Sequence, residues 1–191
     1  MKYIIEHLDP QVWEWSYVEY KHISDVVGKE NTIFTNVRRK SDALKLEQLG
    51  EVYANSVISL VADKTFTSVC VLDPAAKIEF SYSDKTYSYL VVGGVLGNFP
   101  MDGRTNKCIT SQIHGAAARH LGKFQMSTNT AVVVAHRILE GTPLSKMKFK
   151  RKLVIPITQG EEVELPFRFL VENNEVVLPE GYIEMVKEQH N

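Results

Sequence analysis

Two glycine-containing stretches carry the residue types that could do chemistry in this chain. The first is YLVVGGVLGNFPMDGRT, from Tyr89 to Thr105, and the second is LGKFQMSTNTAVVVAHRIL, from Leu121 to Leu139. In the first, the glycines at 93, 94 and 97 follow an apolar run, and absent side chains let a flat ligand approach the backbone closely. The spacing GGxxG matches neither GxGxxG nor GxxxxGK, so it supports neither a dinucleotide fold nor a phosphate loop. A tight structural turn explains the glycines equally well, but each stretch reads as a strand ending in a polar loop, and we therefore expect the active site here.

The polar side chains in these stretches have two interpretations each. Asp102 and Arg104 are either a local salt bridge on a loop or a pair that faces a cleft. Thr128, Asn129 and Thr130 offer three capping side chains to the following helix, or they direct its positive end at an anion. The histidines lack HxH or HExxH spacing, and no metal site is predicted. His136 is expected on the outer face of its helix.

The elements that position these residues alternate between short apolar runs and helical patterns. Continuous runs such as Ser68 to Leu72 (SVCVL) are typical of strands buried on both faces, which indicates a parallel sheet between helices. By composition, Ala116 to Leu121 favours a helix weakly, and Val52 to Val61 fits either a strand or a mixed segment. The predicted strands cover 3–6, 32–35, 68–72 and 87–92, and the predicted helices 10–27, 41–49, 131–140 and 182–187, with Pro10 in the first turn and Gly28 as a stop.

The length and the amino-acid composition indicate one soluble domain, with 191 residues and a formal net charge of -1. We expect the segment from 146 to 191, interrupted by prolines, to wrap this domain and to turn at Asn173-Asn174. The charge gives the whole chain no electrostatic reason to grip nucleic acid. A local basic cluster is read as a solvated loop, although RNA contact stays open; it comprises Lys146, Lys148, Lys150, Arg151 and Lys152.

Location follows from the cysteines and the apolar runs. Cys70 and Cys108 lack the spacing of a disulfide framework or a zinc site. No run reaches the roughly 20 apolar residues of a membrane span. We expect a cytoplasmic protein without membrane contact.

Several motifs, in order, resemble a known family. They are MKYIIEH with a following W and EY, LDP at 72–74, GGVLGNFPMDGRT, LGKFQMSTNTA, LPFRF and LPEGY. Together they span most of the chain, which is similar to a small eukaryotic and archaeal family of SPOUT-class methyltransferases. That family is often described as RNA methyltransferases that depend on S-adenosylmethionine, while its yeast member looks like a protein-arginine methyltransferase acting on a small-subunit ribosomal protein.

The resemblance implies an α/β fold, with a mostly parallel sheet, helices on both faces and a C-terminal trefoil knot that no periodicity could reveal. It implies that Ala116 to Leu121 contains a strand, and that three segments hold S-adenosylmethionine. The implied cofactor-binding residues are Leu72, Asp73, Pro74, Gly93, Gly94, Leu96, Gly97, Leu121, Gly122, Gln125, Met126, Thr128 and Asn129.

The implied reaction is transfer of a methyl group to an arginine of a small-subunit ribosomal protein. An arginine stays protonated, so carboxylates must orient it and help remove a proton. Asp102 and Glu6 are the candidates, with Arg104 fixing the cofactor carboxylate or holding Asp102. The alternatives are an RNA methyltransferase of the same fold and a cofactor-binding module without catalysis. We expect a monomer rather than a homodimer.

Two positions depart from the family pattern. Where the family has TDTA, this chain has Thr128-Asn129-Thr130-Ala131, and where the family has GD, it has Gly97-Asn98. Each change removes a negative charge. Activity and acceptor choice therefore depend on whether either aspartate serves as a base or a substrate clamp in the relatives.

Overall fold

A sheet of parallel strands forms the centre of the computed structural model, which describes residues 1–94, 103–158 and 160–189. The strand order is β3-β2-β1-β5-β4-β6, and every neighbouring pair is parallel. The strands are β1 (Lys2–His7), β2 (Thr32–Thr35), β3 (Glu51–Val52), β4 (Val69–Leu72), β5 (Tyr89–Gly94) and β6 (Ala117–Arg119).

Helices cover both faces of this sheet, because successive side chains of each buried strand point to opposite sides. Ile5 packs into a core with Tyr20 and Val132, whereas its neighbour Ile4 packs into a second core with Leu60. The predicted α/β fold is confirmed, while the trefoil knot stays a prediction. The helices are α1 (Glu14–Val27), α2 (Lys40–Leu46), α3 (Val57–Ala62), α4 (Arg104–Cys108), α5 (Thr128–Leu139) and α6 (Tyr182–Glu188).

The start of α1 differs from the predicted one. Trp13 is still extended, with φ −72° and ψ 164°, and Gly28 ends the helix as predicted. The segment before it is held instead by a long-range contact, since the Val12 N–H donates to Asp42 Oδ2 at 3.0 Å. Pro10 therefore lies in a bend before the helix, and the prediction that it begins the first turn was wrong.

The segment from Ala116 to Leu121 contains β6, so the helix favoured by its composition was wrong and the strand implied by the resemblance is confirmed. Its backbone pairs with β4, placing Cys70 beside Ala117 and Leu72 beside Arg119. Pairing with β4 along one side of the strand gives this backbone hydrogen-bond partners, which overrides a weak helical propensity.

The chain after residue 146 adds two small antiparallel sheets and α6. They share a core with one side of α1, where Phe169 and Met185 pack near Trp15. The predicted turn at Asn173 and Asn174 is confirmed, because both residues have positive φ and join two paired strands. The strands are β7 (Lys148–Lys150), β8 (Leu153–Thr158), β9 (Glu161–Leu165), β10 (Phe169–Glu172) and β11 (Glu175–Val176).

Within the described ranges, no helix combines the length and the apolar character needed to cross a bilayer. In the same ranges, no three acidic, histidine or cysteine side chains come together as a metal site. Both cysteines are free, with Cys70 buried in the core and Cys108 exposed.

Candidate functional site

A cleft of about 480 Å³, counting its open mouth, lies at the carboxyl ends of β4 and β5. Its walls come from the ends of those two strands, the start of α4, the loop between β6 and α5, and the first turn of α5. The lining residues are Leu72, Asp73, Pro74, Val92, Gly93, Thr105, Leu121, Gly122, Phe124, Met126 and Ala131.

The cleft brings together residues of the three segments predicted to hold a cofactor. The predicted residues in its lining are Leu72, Asp73, Pro74, Gly93, Leu121, Gly122 and Met126. Gly94, Gln125, Thr128 and Asn129 lie nearby without lining it. Leu96, Gly97, Asn98 and Asp102 fall between 95 and 102, outside the described residues.

Four lining residues were missed by the sequence reasoning: Val92, Thr105, Phe124 and Ala131. Each lies inside a quoted motif or directly beside a predicted residue. The motifs therefore located the segments, but nothing in their composition indicated which side chains turn toward the cleft.

The two adjacent glycines at the end of β5 face different surroundings. A Cβ on Gly93 would have Thr105 Oγ1 as its nearest neighbour, at an ordinary 3.4 Å. A Cβ on Gly94 would lie only 2.6 Å from Ile5 Cγ2 and would collide with the Tyr20 hydroxyl. Gly94 is therefore required for core packing, whereas a Cβ at Gly93, in the lining of the cleft, would be tolerated.

Asp73 places a carboxylate in the otherwise apolar wall. Its Oδ1 accepts the Ala75 N–H at 2.8 Å, and its Oδ2 accepts from Asn106 Nδ2 at 3.0 Å. These bonds tie the end of β4 to α4 and hold the negative charge in one place. A fixed negative charge at a cleft favours a cationic ligand.

The loop between β6 and α5 forms the far wall, and at Gly122 it requires a positive φ of 93°. The side-chain Oε1 of Gln125 is buried, and it has no hydrogen-bond partner among the described residues. Buried polar atoms usually have a partner, so an unpaired one beside a cleft is a candidate to meet a ligand donor.

The first turn of α5 is buried, which corrects the expectation that its polar residues cap the helix. Ser127 occupies the N-cap position, and Thr128, Asn129 and Thr130 all point inward. The Thr128 hydroxyl donates to the Gly93 carbonyl at 3.2 Å. Thr128 therefore joins the helix to β5.

The partner that caps α5 comes from α1. Glu19 Oε2 accepts the Asn129 N–H at 3.4 Å, and the amide of Thr128 also bonds to this carboxylate. Burial raises the pKa of Glu19 to about 7 and outweighs these two donors, which lower it. The Asn129 side chain also contacts His22 Nδ1 at 3.2 Å.

Glu6 lies at the end of β1, away from the lining of the cleft. Its Oε2 accepts from the Thr35 hydroxyl at 2.5 Å and from the Val57 N–H at 2.9 Å, and its Oε1 accepts from the Ser56 hydroxyl at 2.6 Å. The residue is 1% exposed. Its carboxylate therefore accepts hydrogen bonds from three donors within the protein.

Arg104 is the first residue of α4 and follows Gly103, whose φ is 71°. It is adjacent in sequence to Thr105 of the cleft wall. His136 was expected on an outer face, but it is half-buried, because its Nδ1 pairs with the Tyr3 hydroxyl at 2.8 Å.

The chain is similar to proteins of known activity along nearly its whole length. It is 31% identical to the protein arginine N-methyltransferase SFM1 of Saccharomyces cerevisiae, covering 98% of this chain and 94% of that protein. The crystal structure of yeast SFM1 complexed with SAH matches with a TM-score of 0.87 at 30% identity, over 97% of this chain and 94% of that one. The complex with SAM matches with a TM-score of 0.88 at 30% identity, over 98% and 90%.

A more distant match concerns the fold alone. The crystal structure of a dual specific Trm10 from Thermococcus kodakaraensis superposes with a TM-score of 0.59 at 12% identity, over 76% of this chain and 96% of that one. The model of the family described as protein arginine N-methyltransferase SFM1-like matches residues 2–191. Because the family match spans nearly every residue, this chain belongs to the SFM1-like protein arginine N-methyltransferases.

Proposed function

We propose that this chain is an S-adenosylmethionine-dependent methyltransferase whose acceptor is an arginine of a small-subunit ribosomal protein. One observation carries the proposal. The cleft gathers the three segments expected to hold the cofactor, in a chain whose relative yeast SFM1 crystallises with SAM, SAH and MTA.

The residues of the cleft fit this cofactor. Leu72, Leu121 and Met126 offer an apolar slot for a flat base, and Gly93 leaves the backbone accessible. The buried Gln125 oxygen can accept from an amino group. When bound, the cofactor would supply an electrophilic methyl group on a cationic sulfur, and the Asp73 carboxylate in the lining would favour that positive charge.

The chain's own task is to align the acceptor and take up its proton. A guanidinium is protonated at neutral pH, so a carboxylate beside it must orient it and accept the proton released as its nitrogen attacks. Asp102 is the proposed proton acceptor, and Arg104 is proposed to hold it or the cofactor carboxylate. Glu6 remains a candidate, and its three internal hydrogen bonds support a role in organising the strand ends.

A ribosomal acceptor places the reaction in the cytoplasm, and we propose that the enzyme acts as a monomer. The exposed lysines at 146, 148 and 150 leave RNA as the competing acceptor. Lys152 is less available to RNA, because it pairs with Glu164 at 2.6 Å.

The test is to incubate the protein with isotope-labelled S-adenosylmethionine and ribosomal extract and to identify the labelled residue by mass spectrometry. The control is Gly93→Leu, whose side chain would enter the cleft from a position where a Cβ is tolerated. Label on an arginine of a small-subunit protein, absent with the control, supports the proposal. Label on RNA, or cofactor binding without any labelled product, overturns it.

A further inference from the structure

The loop from Leu121 to Met126 is held from behind by a residue of the C-terminal segment (residues 146–191). The backbone N–H of Arg168 donates to the Gln125 carbonyl at 2.8 Å. Its Nη1 donates to the Leu121 carbonyl at 3.2 Å. One residue therefore contacts both ends of the loop that forms the far wall of the cleft.

An aromatic ring fixes the direction of the Arg168 side chain. The guanidinium lies over the ring of Phe149, 3.5 Å from its centroid. Phe149 belongs to β7, where it is in register with Leu170 of β10. A planar guanidinium stacked in this way is pre-organised, and a lysine cannot reproduce the arrangement.

The packing at Gly122 leaves no gap between this arginine and the loop. A Cβ on Gly122 would lie 2.8 Å from Arg168 Nη1, and the φ of Gly122 is 93°. Gly122 also lines the cleft. A displacement of the Arg168 side chain would therefore shift the backbone of Gly122, which lines the cleft.

The environment of Arg168 is unusual for a surface arginine. Burial lowers the pKa of its guanidinium, and the charge of Arg151 acts in the same direction, while Glu79 opposes it. Burying a charge is unfavourable unless the charged group is hydrogen-bonded. We therefore expect the contacts of the partly buried Arg168 side chain to contribute to the structure of the loop.

We infer that Arg168 is a positioning residue for the cofactor, which holds the Leu121-to-Met126 loop in its binding shape and makes the C-terminal segment part of the cofactor site. The inference rests on the proposed function, since it requires that the cofactor occupies this cleft. It assigns no chemical step to Arg168, which acts only through the loop backbone.

The experiment measures SAH affinity by calorimetry and KM for S-adenosylmethionine beside kcat, for the wild type and for Arg168→Ala, Arg168→Lys and Phe149→Leu. We expect Arg168→Ala to weaken SAH binding and raise KM about tenfold, the loss typical of one hydrogen bond from a charged donor. The effect on kcat should be about twofold or less, because Arg168 is not in the lining of the cleft. Arg168→Lys should recover part of the loss, and Phe149→Leu should show a smaller one.

The charge-matched control is Arg38→Ala, which replaces an exposed arginine whose Nε donates to the nearby Asn36 Oδ1 at 3.1 Å. Thermal unfolding without cofactor separates a general loss of stability from a loss of affinity. If Arg168→Ala binds SAH as tightly as the wild type, the positioning role is refuted even though the proposed function stands. If the wild type itself binds no SAH, the proposed function fails first.

Discussion

The carboxyl edge of the sheet has two halves that end differently. Beside β1 and β2 the edge is closed by side chains, because the Glu6 carboxylate satisfies the hydroxyls of Thr35 and Ser56 and the amide of Val57. Beside β4 and β5 the edge is open and forms the cleft. Polar residues occur at strand ends in both halves, so a carboxylate in this position does not by itself indicate chemistry. A carboxylate whose hydrogen bonds are already made within the protein is distinguished in this way from one that can meet a ligand.

The largest loss of stability is expected from a substitution of Glu6, in the closed half of the sheet edge. Glu6→Ala would take this acceptor from the Ser56 hydroxyl and the Val57 amide and would leave the Thr35 hydroxyl with only a long contact to the Ile5 carbonyl, at 3.5 Å. We therefore expect a loss of about 3–4 kcal/mol in the free energy of unfolding. Urea denaturation at neutral pH measures this loss. Glu47→Ala, at an exposed glutamate after α2, is the control and should change stability by less than about 0.5 kcal/mol.

The isosteric variant Glu6→Gln separates structure from chemistry. It keeps the size of the side chain and one strong acceptor. If Glu6 only organises the strand ends, kcat of the folded variant should stay within about threefold of the wild type, whereas loss of a proton acceptor would cost about 100-fold or more. A kcat loss of that size without a matching loss of stability would show that the closed half takes part in catalysis.

The adjacent glycines of β5 give the second contrast, because Gly94 faces packed core and Gly93 faces the cleft. We expect Gly94→Ala to lower the free energy of unfolding by about 2–3 kcal/mol, since its Cβ would collide with Tyr20 and Ile5. Gly93→Ala should lower it by less than about 1 kcal/mol. Chemical denaturation of both variants is the measurement, and equal losses would contradict the assignment of the two faces.

A third effect concerns Glu19, which links the two halves by capping α5 from α1. Its pKa in the folded protein is about 7, above its ordinary value of 4.5. Below the lower value the carboxyl is protonated in both states and contributes nothing to the pH dependence. As the pH rises toward 7 the unfolded chain ionises first, so the folded state loses stability.

Glu19→Gln removes this titration while keeping the shape of the side chain. The stability of the variant relative to the wild type should therefore increase by about 2–3 kcal/mol between pH 5 and pH 8. Thermal or urea unfolding across this range measures the difference. Glu14→Gln, at an exposed glutamate in the first turn of the same helix, should show no such slope; a flat profile for Glu19→Gln would mean that this carboxyl is ordinary.

The sequence predicted most of the sheet, because runs such as VCVL at 69–72 are continuous and end in turn residues. It also located the three segments of the cleft, through motifs that resemble the family. The partners of Glu6 could not be predicted, since they lie 29 to 51 residues away along the chain. The inward direction of Thr128, the collision at Gly94 and the contact of Arg168 with Leu121 depend in the same way on packing between distant segments. Local patterns indicate where a strand ends, but not what lies opposite its last side chain.

The smallest effect is expected at the open mouth of the cleft. Phe124 lines the cleft, is 49% exposed, and has the Arg151 guanidinium 4.6 Å from its ring centroid. Since a half-exposed ring contributes little to the core, Phe124→Ala should change the free energy of unfolding by less than about 0.5 kcal/mol. It should weaken SAH binding about three- to fivefold, through the loss of apolar contact with the ligand.

Tyr82→Ala is a matched control for this variant. Tyr82 is 50% exposed and has Lys85 Nζ 4.0 Å from its ring centroid, yet it does not line the cleft. Calorimetry with SAH should therefore give the wild-type affinity for Tyr82→Ala and a weaker one for Phe124→Ala. Equal affinities for the two variants would mean that the bound cofactor does not reach Phe124. The binding surface would then consist of the buried part of the lining, which includes Leu72 and Met126.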